Sequence, residues 1–537
     1  MMIRRIRKRW APLICATLAG AAIVGGTAAC GKPERVERRT LIDSRDSYDP
    51  RSLDPALSTD VPTGRAVAYL FDGLTRFTDD AQVVPNLARA WDVSDDGLVY
   101  TMHLRTGVTF HDGSPFSARD VEHSFRRVLD PATRGGRGWP LYPIVGAQAY
   151  ADGKASTITG LRVVDDSTVR ITLSEPFAIF PKMLAMPVAS IVPQHTPADF
   201  GEHPIGTGPW KFVEWRHDDY LRFVKNAAYH GDVPREDSLE ARIIPEPSTV
   251  VAEFEIGNVD IVSIPPQETR TWEENAETQA LLQSAPSLRL VYGAINTTRG
   301  PLRDARVRRA INHAVDVGMI LNRLMGGRGT RAAGVIPPSL AGVDSTRRPY
   351  QYDVALAKQL LAEAGYPNGI DLELWCSQSE PFPRMAQTIQ AYLAQANIRV
   401  KIVQRDASSM REAARNGKTD IALKDWFADY PDAEAFLYPL LHGANTGVGG
   451  NVSFYRNDTV DHIIAAARRE SDETRRIALY RQADSIAFQD APMLFMYFFK
   501  DLFAVQPWIR GYKVPSIFNG QRWNTVSIDR APASPAR

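Results

Sequence analysis

The segment IDLELWCSQSEPFPRMAQTIQAYLAQANIRVKIVQRDASSMREAARNGKTDIALKDWFADYPD, Ile370 to Asp432, decides the architecture of the chain. Ile370 to Trp375 alternates apolar and polar residues, the period-two pattern of a half-buried strand. Arg384 to Ala396 reads as a helix, Ile398 to Val403 as a second strand, Ser408 to Asn416 as a second helix and Asp420 to Leu423 as a third strand. This βαβαβ order predicts a parallel sheet, because each crossover helix must return the chain to the same edge direction. Ligands of open parallel sheets sit beyond the carboxyl ends of the strands, and DWFADYPD, Asp425 to Asp432, is the loop leaving the third strand. It sets three carboxylates among three aromatic rings.

Upstream, Asp353 caps a predicted helix from Ala355 to Ala364 that Gly365 closes. Val307, Ile311, Ala314, Leu321 and Leu324 follow helical spacing until Gly326-Gly327 ends the run. Between residues 40 and 205 strand and helix signals mix. Tyr100, Met102 and Leu104 mark one strand, and Val169, Ile171 and Leu173 another. Ser117-x-x-Asp120 opens the helical stretch ARDVEHSFRRVLD as a capping box.

The N-terminus, MMIRRIRKRWAPLICATLAGAAIVGGTAAC, has the layout of an export signal: a cationic run, an apolar stretch and small residues before Cys30. Thr27-Ala28-Ala29-Cys30 resembles the lipobox of bacterial lipoproteins, with threonine where leucine is more usual. That resemblance implies an acylated Cys30, and an ordinary small-residue cleavage site is the alternative. Removing residues 1–29 takes five of 63 basic residues and none of 62 acids, which leaves 58 against 62. Such a mildly acidic chain argues against nucleic acid as a partner, since phosphate binding demands clustered positive charge. Residues 31–39, GKPERVERR, have nothing to bury and read as a tether. No later segment is long and apolar enough to span a bilayer. Of the three cysteines only Cys376 then lacks another role, so no internal disulfide is expected. The length implies two or three domains.

Familiar catalytic signatures are absent from the sequence: G-x-S-x-G, H-E-x-x-H and S-x-x-K do not occur, and Asn416-Gly417-Lys418-Thr419 lacks the earlier glycine of a phosphate loop. Gly327-x-Gly329-x-x-Ala332 follows a helix rather than a strand and reads as a plain loop. His103, His111 and His123 lie close in sequence, but on a strand's polar face, in a turn and on a helix, so surface histidines are expected rather than a metal site. Within DWFADYPD, Asp432 reads as the cap of the following helix and Asp425 as a solvated or paired acid. Asp429 stands between Ala428 and Tyr430, ahead of a loop-fixing proline, and can present one desolvated negative charge inside an aromatic wall.

The run AWDVSDDGLVYTMHLRTGVTFHDGSPFSARDVEHSFRRVLDP, residues 90–131, resembles the signature of the extracytoplasmic oligopeptide-, dipeptide- and nickel-binding proteins of ABC importers, bacterial family 5. PIGTGPWKFVEW from residue 204, GNVDIV from 257, INTTRGPLRDARVRRAINHAVD from 295, AKQLLAEAGYPNG from 357 and DWFADYPD follow in the family's order. The resemblance implies an α/β fold of the two-lobed periplasmic-binding-protein kind (type II, large three-domain variety), hinged between lobes. Residues 40–71, 206–288 and 499–530 would form lobe I, residues 72–205 its extra subdomain, and residues 289–498 lobe II. Residues 1–29 would be the signal peptide and 30–39 the lipidated tether.

By the same resemblance Asp429 holds a ligand's α-ammonium group, Trp426 and Phe427 flank the ligand main chain, Val61 pairs with it backbone to backbone, and Tyr292 is a cleft aromatic. Two positions depart from the pattern. The strand before the loop, DIAL, lacks the arginine with which some relatives meet a ligand carboxylate, and Phe427 replaces a cysteine that some use in a disulfide. The expected function is that of a monomeric, lipid-anchored periplasmic receptor that captures a short peptide or other amine-bearing solute and delivers it to an inner-membrane ABC permease. No catalysis, metal or cofactor is implied. The alternatives are a receptor for a nickel chelate, sugar or opine, an exported hydrolase using Asp425 and Asp429 as an acid pair, and a surface chaperone on the same scaffold.

Overall fold

Two long strands, Leu282–Ile295 and Met493–Val505, run antiparallel through the middle of an eleven-stranded sheet; the computed structural model describes residues 40–529. Their sequences explain the position: MLFMYFFKDLFAV is apolar at nearly every step, as a strand covered on both faces must be. On one side Ile421–Phe427 pairs antiparallel with Leu282–Ile295, and Ile370–Ser377 and Ile398–Arg405 continue outward in parallel. On the other side lie Ile261–Ser263, Thr40–Asp46 and Ser238–Ile243, then the antiparallel strands Tyr220–Lys225 and Trp210–Arg216.

The predicted parallel unit is present, with helices Phe382–Gln395 and Ala407–Arg415 as its crossovers. The expected end of its third strand is corrected: pairing with Arg289 and Val291 carries the strand through Phe427, so the loop proper begins at Ala428. The run from Val307 to Leu324 is also two helices, Ala305–Ala314 and Val317–Leu324, because Asp316 leaves helical geometry and caps the amide of Met319. Asp353 caps its helix through the amide of Leu356, and Ser117 and Asp120 form the predicted capping box.

Residues 88–172 hold a separate four-stranded sheet, Ala88–Val93, Val99–Leu104, Thr168–Thr172 and Leu161–Asp165, covered by the helix Ala118–Leu129. Tyr100, Met102, Val169 and Ile171 face inward as their alternation predicted. Asp72 anchors the start of this segment. It is fully buried and takes hydrogen bonds from Arg522 (2.8 Å), Asn86 (2.8 Å), Thr207 (3.0 Å), His230 (3.0 Å) and Tyr229 (3.2 Å). Burial alone would raise its pKa, yet these donors, Arg522 foremost, hold the carboxyl well below the usual range.

The central ladder is interrupted between Pro286 and Leu290, and again between Val291 and Tyr292. Beyond the interruption alternate residues serve two cores. Leu290, Tyr292 and Ala294 pack with the core that continues into the four-stranded sheet, whereas Val291 and Ile295 pack under the helices at 305–324 and 382–395.

Candidate functional site

The same alternation sorts the residues of DWFADYPD. Asp425 and Phe427 take the face of Arg289 and Val291, their cross-strand partners. Arg289 donates to Asp425 Oδ2 from Nε (2.9 Å) and Nη2 (2.7 Å), and its guanidinium lies over the rings of Phe427 (4.9 Å) and Phe499 (5.2 Å). Asp425 is thus a paired acid. Phe427 remains 46% exposed, an unusual position for a large apolar ring. Trp426 turns to the opposite face, where its indole Nε1 donates to the carbonyl of Ala435 at 2.8 Å. Tyr292 lies on that face too, 2% exposed, with no hydrogen-bond partner at its hydroxyl among the described residues.

Asp429 leaves the strand end with 23% of its side chain exposed, and its Oδ1 accepts from Arg137 Nη2 at 2.8 Å. Arg137 belongs to the segment carrying the four-stranded sheet, so the contact joins two parts of the fold 292 residues apart in sequence. Burial raises the Asp429 pKa, and Arg137 offsets this only in part. One donor at one oxygen leaves the second oxygen available. Nearby, Asp432 accepts from the amide of Glu434 (3.0 Å) and pairs with Lys182 (2.6 Å), but the cap position of the helix Glu434–Leu441 falls on Ala433, one residue later than expected. Val61 is half-buried and opens the helix Val61–Leu70, behind an Asp60 cap that takes the Thr63 amide at 2.9 Å. First-turn amides of a helix have no acceptor inside it, so this one suits an outside carbonyl.

On the Arg289 face residues from both halves of the sheet line a cavity of about 480 Å³. Ser44–Ser47 and Ser263–Gln267 line it from one half, and Val291, Arg328 and Phe499 from the other. Arg328 is 4% exposed and is held by the carbonyls of Ile264 and Lys500 over the ring of Phe499. Neither Arg137 nor Arg328 was singled out from sequence. The signal was present: both stand in the tetrapeptide Gly-Gly-Arg-Gly, at 135–138 and 326–329. Gly326 has φ +59°, and a Cβ there would lie 2.7 Å from the Pro266 carbonyl oxygen.

The remaining candidates lie elsewhere. His103 pairs with Asp92 at 2.7 Å, and burial first of all lowers the His111 pKa to about 4 while its ring bonds the backbone of Gly206 and Gly208. Among the described residues no three His, Cys, Asp or Glu are grouped to hold a metal, and no helix is long and apolar enough to cross a membrane. Cys376 is a buried free thiol. Cys30, the export signal and the tether lie outside the described residues.

Residues 82–448 match the family model of bacterial extracellular solute-binding proteins, family 5, middle region. The chain is 30% identical to heme-binding protein A of Haemophilus influenzae over 96% of its own length and 98% of that protein. It is 31% identical to the glutathione-binding protein GsiB of Pectobacterium atrosepticum, over 92% and 94%. Among solved structures, the periplasmic binding protein DppA of Helicobacter pylori in complex with the peptide STSA superposes with a TM-score of 0.76 at 30% identity, covering 91% of this chain and 98% of that one. HbpA2 of Haemophilus parasuis superposes with a TM-score of 0.79 at 28% identity, covering 91% and 99%.

Proposed function

Because the chain belongs to the family 5 extracellular solute-binding proteins of ABC importers, which have a two-lobed α/β fold and are not enzymes, we propose that it captures short peptides by their amine end and passes them to a permease. Asp429 is the anchor of this reading: a carboxylate shielded enough to favour a cation, at the end of a strand, with a single donor among the described residues. A peptide ammonium brings three donors and can engage the open oxygen. The exposed Phe427 ring and the Val61 amide then lie beside the ligand main chain, while Trp426 and Tyr292 brace the loop from the opposite face.

In this reading the lobes are 40–71 with 206–288 and 499–530, and 289–498, with 72–205 as the extra subdomain. They close about the ladder interruption near Arg289, opposite Phe498, where the central strands are least tied together. A ligand touching both lobes favours the closed form, because only there does it gain both sets of contacts. Acylation of Cys30 would hold the receptor, a monomer, at the membrane in the periplasm or cell envelope. The relative that binds heme by name makes a non-peptide solute the second reading. An acid-pair hydrolase is disfavoured, since Asp425 and Asp429 each have their own arginine.

Native mass spectrometry of the purified chain tests the proposal, because an enclosed cleft retains what it captured. A retained peptide or other primary amine supports it. A retained solute without an amine contradicts it.

A further inference from the structure

The Asp72 knot has an outer side. Four of its five donors, Arg522, Asn86, Tyr229 and His230, also line a cavity of about 390 Å³, together with residues of the strand pair at 75–85 and of the segment 520–525. No residue of 289–498 lines it, so the cavity is separate from the Asp429 loop. The knot fixes its floor, yet polar atoms in its wall are left without partners. Gln521 is 2% exposed; its Oε1 accepts the Trp523 amide at 2.7 Å, while its Nε2 has no acceptor among the described residues. His230 Nδ1 and Asn524 Oδ1 are buried and equally unpaired there. Such atoms cost stability unless something outside the chain completes them.

Two guanidiniums complete the wall. Arg76 reaches only the carbonyl of Phe77, at 3.5 Å, and Arg105 spends Nε on the carbonyl of Asn86 at 2.7 Å; among the described residues neither has an ion-pair partner. Burial, and then the like charge of Arg522, lower the Arg76 pKa. The lining carboxylates do not cancel this charge directly. Asp232 is exposed and acts on Arg76 from beyond pairing distance, and burial with Asp80 pushes Asp79 up to about 6.

We propose that this cavity binds a phosphate ester, with Arg76 and Arg105 meeting the phosphate and Gln521 Nε2 donating to one of its oxygens. Three donors on three separate segments suit a tetrahedral oxyanion better than a planar carboxylate, and guanidinium forks pair with phosphate oxygens two at a time. A bare phosphate leaves much of the cavity unfilled. Hydroxyl groups on the esterified part can donate to Asn524 Oδ1 and to His230 Nδ1, whose Nε2 already serves Asp72. The place of the cavity names a source. Thr40 Oγ1 bonds Ser238 Oγ at 2.7 Å, and Arg235, just upstream of Ser238, donates its amide to the Asn524 carbonyl at 3.3 Å. Residues 30–39 span at most about 35 Å, so a chain anchored at Cys30 as proposed keeps this cavity within reach of lipid headgroups. The phosphate site itself depends neither on that anchor nor on the peptide reading.

The test measures the full chain by calorimetry with glycerol 3-phosphate and by flotation with phosphatidylcholine vesicles, with and without phosphatidylglycerol. Arg76→Gln/Arg105→Gln should weaken binding at least about tenfold, and Gln521→Met, which changes no charge, about three- to tenfold. In wild type glycerol 3-phosphate should also raise the unfolding midpoint above that in chloride of equal ionic strength, a readout that needs no variant. Binding of the soluble ester supports the site with a free ligand. Binding only of vesicles that hold phosphatidylglycerol, lost in both variants, supports it with a headgroup. No binding by wild type in either format overturns the proposal. So does a loss confined to the double arginine variant, since plain charge attraction then suffices.

Discussion

Asp72 and Asp429 are both shielded carboxylates with an arginine partner, yet their surroundings push them in opposite directions. Asp72 is wholly buried under five donors that hold its pKa far down, whereas Asp429 has one donor, residual exposure and a raised pKa. The first is a finished structural knot. The second is unfinished, and that is what a binding carboxylate requires: enough desolvation to want a cation, and an oxygen left to receive it.

The contrast breaks most visibly at Asp72. Asp72→Ala strands Arg522 without its counter-charge and should cost about 3–5 kcal/mol of stability, read as a lowered midpoint of chemical unfolding, with peptide affinity unchanged in the folded protein. Asp429→Ala should do the reverse, weakening a captured peptide by about 2–5 kcal/mol in calorimetry while the unfolding midpoint moves little. If Asp429→Ala unfolds the protein as Asp72→Ala does, the distinction between knot and anchor is lost.

Arg137 sharpens the same comparison. It is the cation that Asp429 already has, so an arriving ammonium must share or displace it. Arg137→Met should tighten peptide binding by about 1 kcal/mol or less, the worth of a part-exposed pair. Weaker binding would make Arg137 a ligand contact instead. The smallest effect is in pH. In the proposed site the charged form of Asp429 binds the ammonium, so affinity should fall as pH drops through its raised pKa, beginning above the value of about 3.9 of an ordinary aspartate. An Asp429→Asn variant should show no such decline.

The parallel unit was legible from alternation and helical spacing, because both periods reflect burial of one face. The end of its third strand was not. Asp425, Trp426 and Phe427 carry no clean alternation, and only their pairing with residues 289–291, far away in sequence, holds them extended. Asp429 could be read as a candidate because its neighbours are aromatic and its position follows a strand. Its partner could not: Arg137 is defined by long-range packing, and a Gly-Gly-Arg-Gly loop announces reach without saying what is reached.

The proposed function turns on the Asp429 carboxylate reading a ligand ammonium. It is tested most directly by calorimetry on a four-member cycle, wild type and Asp429→Asn, each with a library-selected short peptide and with its N-acetylated form. Acetylation should weaken binding to wild type strongly and to Asp429→Asn hardly at all, a coupling of about 1.5 kcal/mol or more. Equal losses on acetylation in both proteins would contradict it.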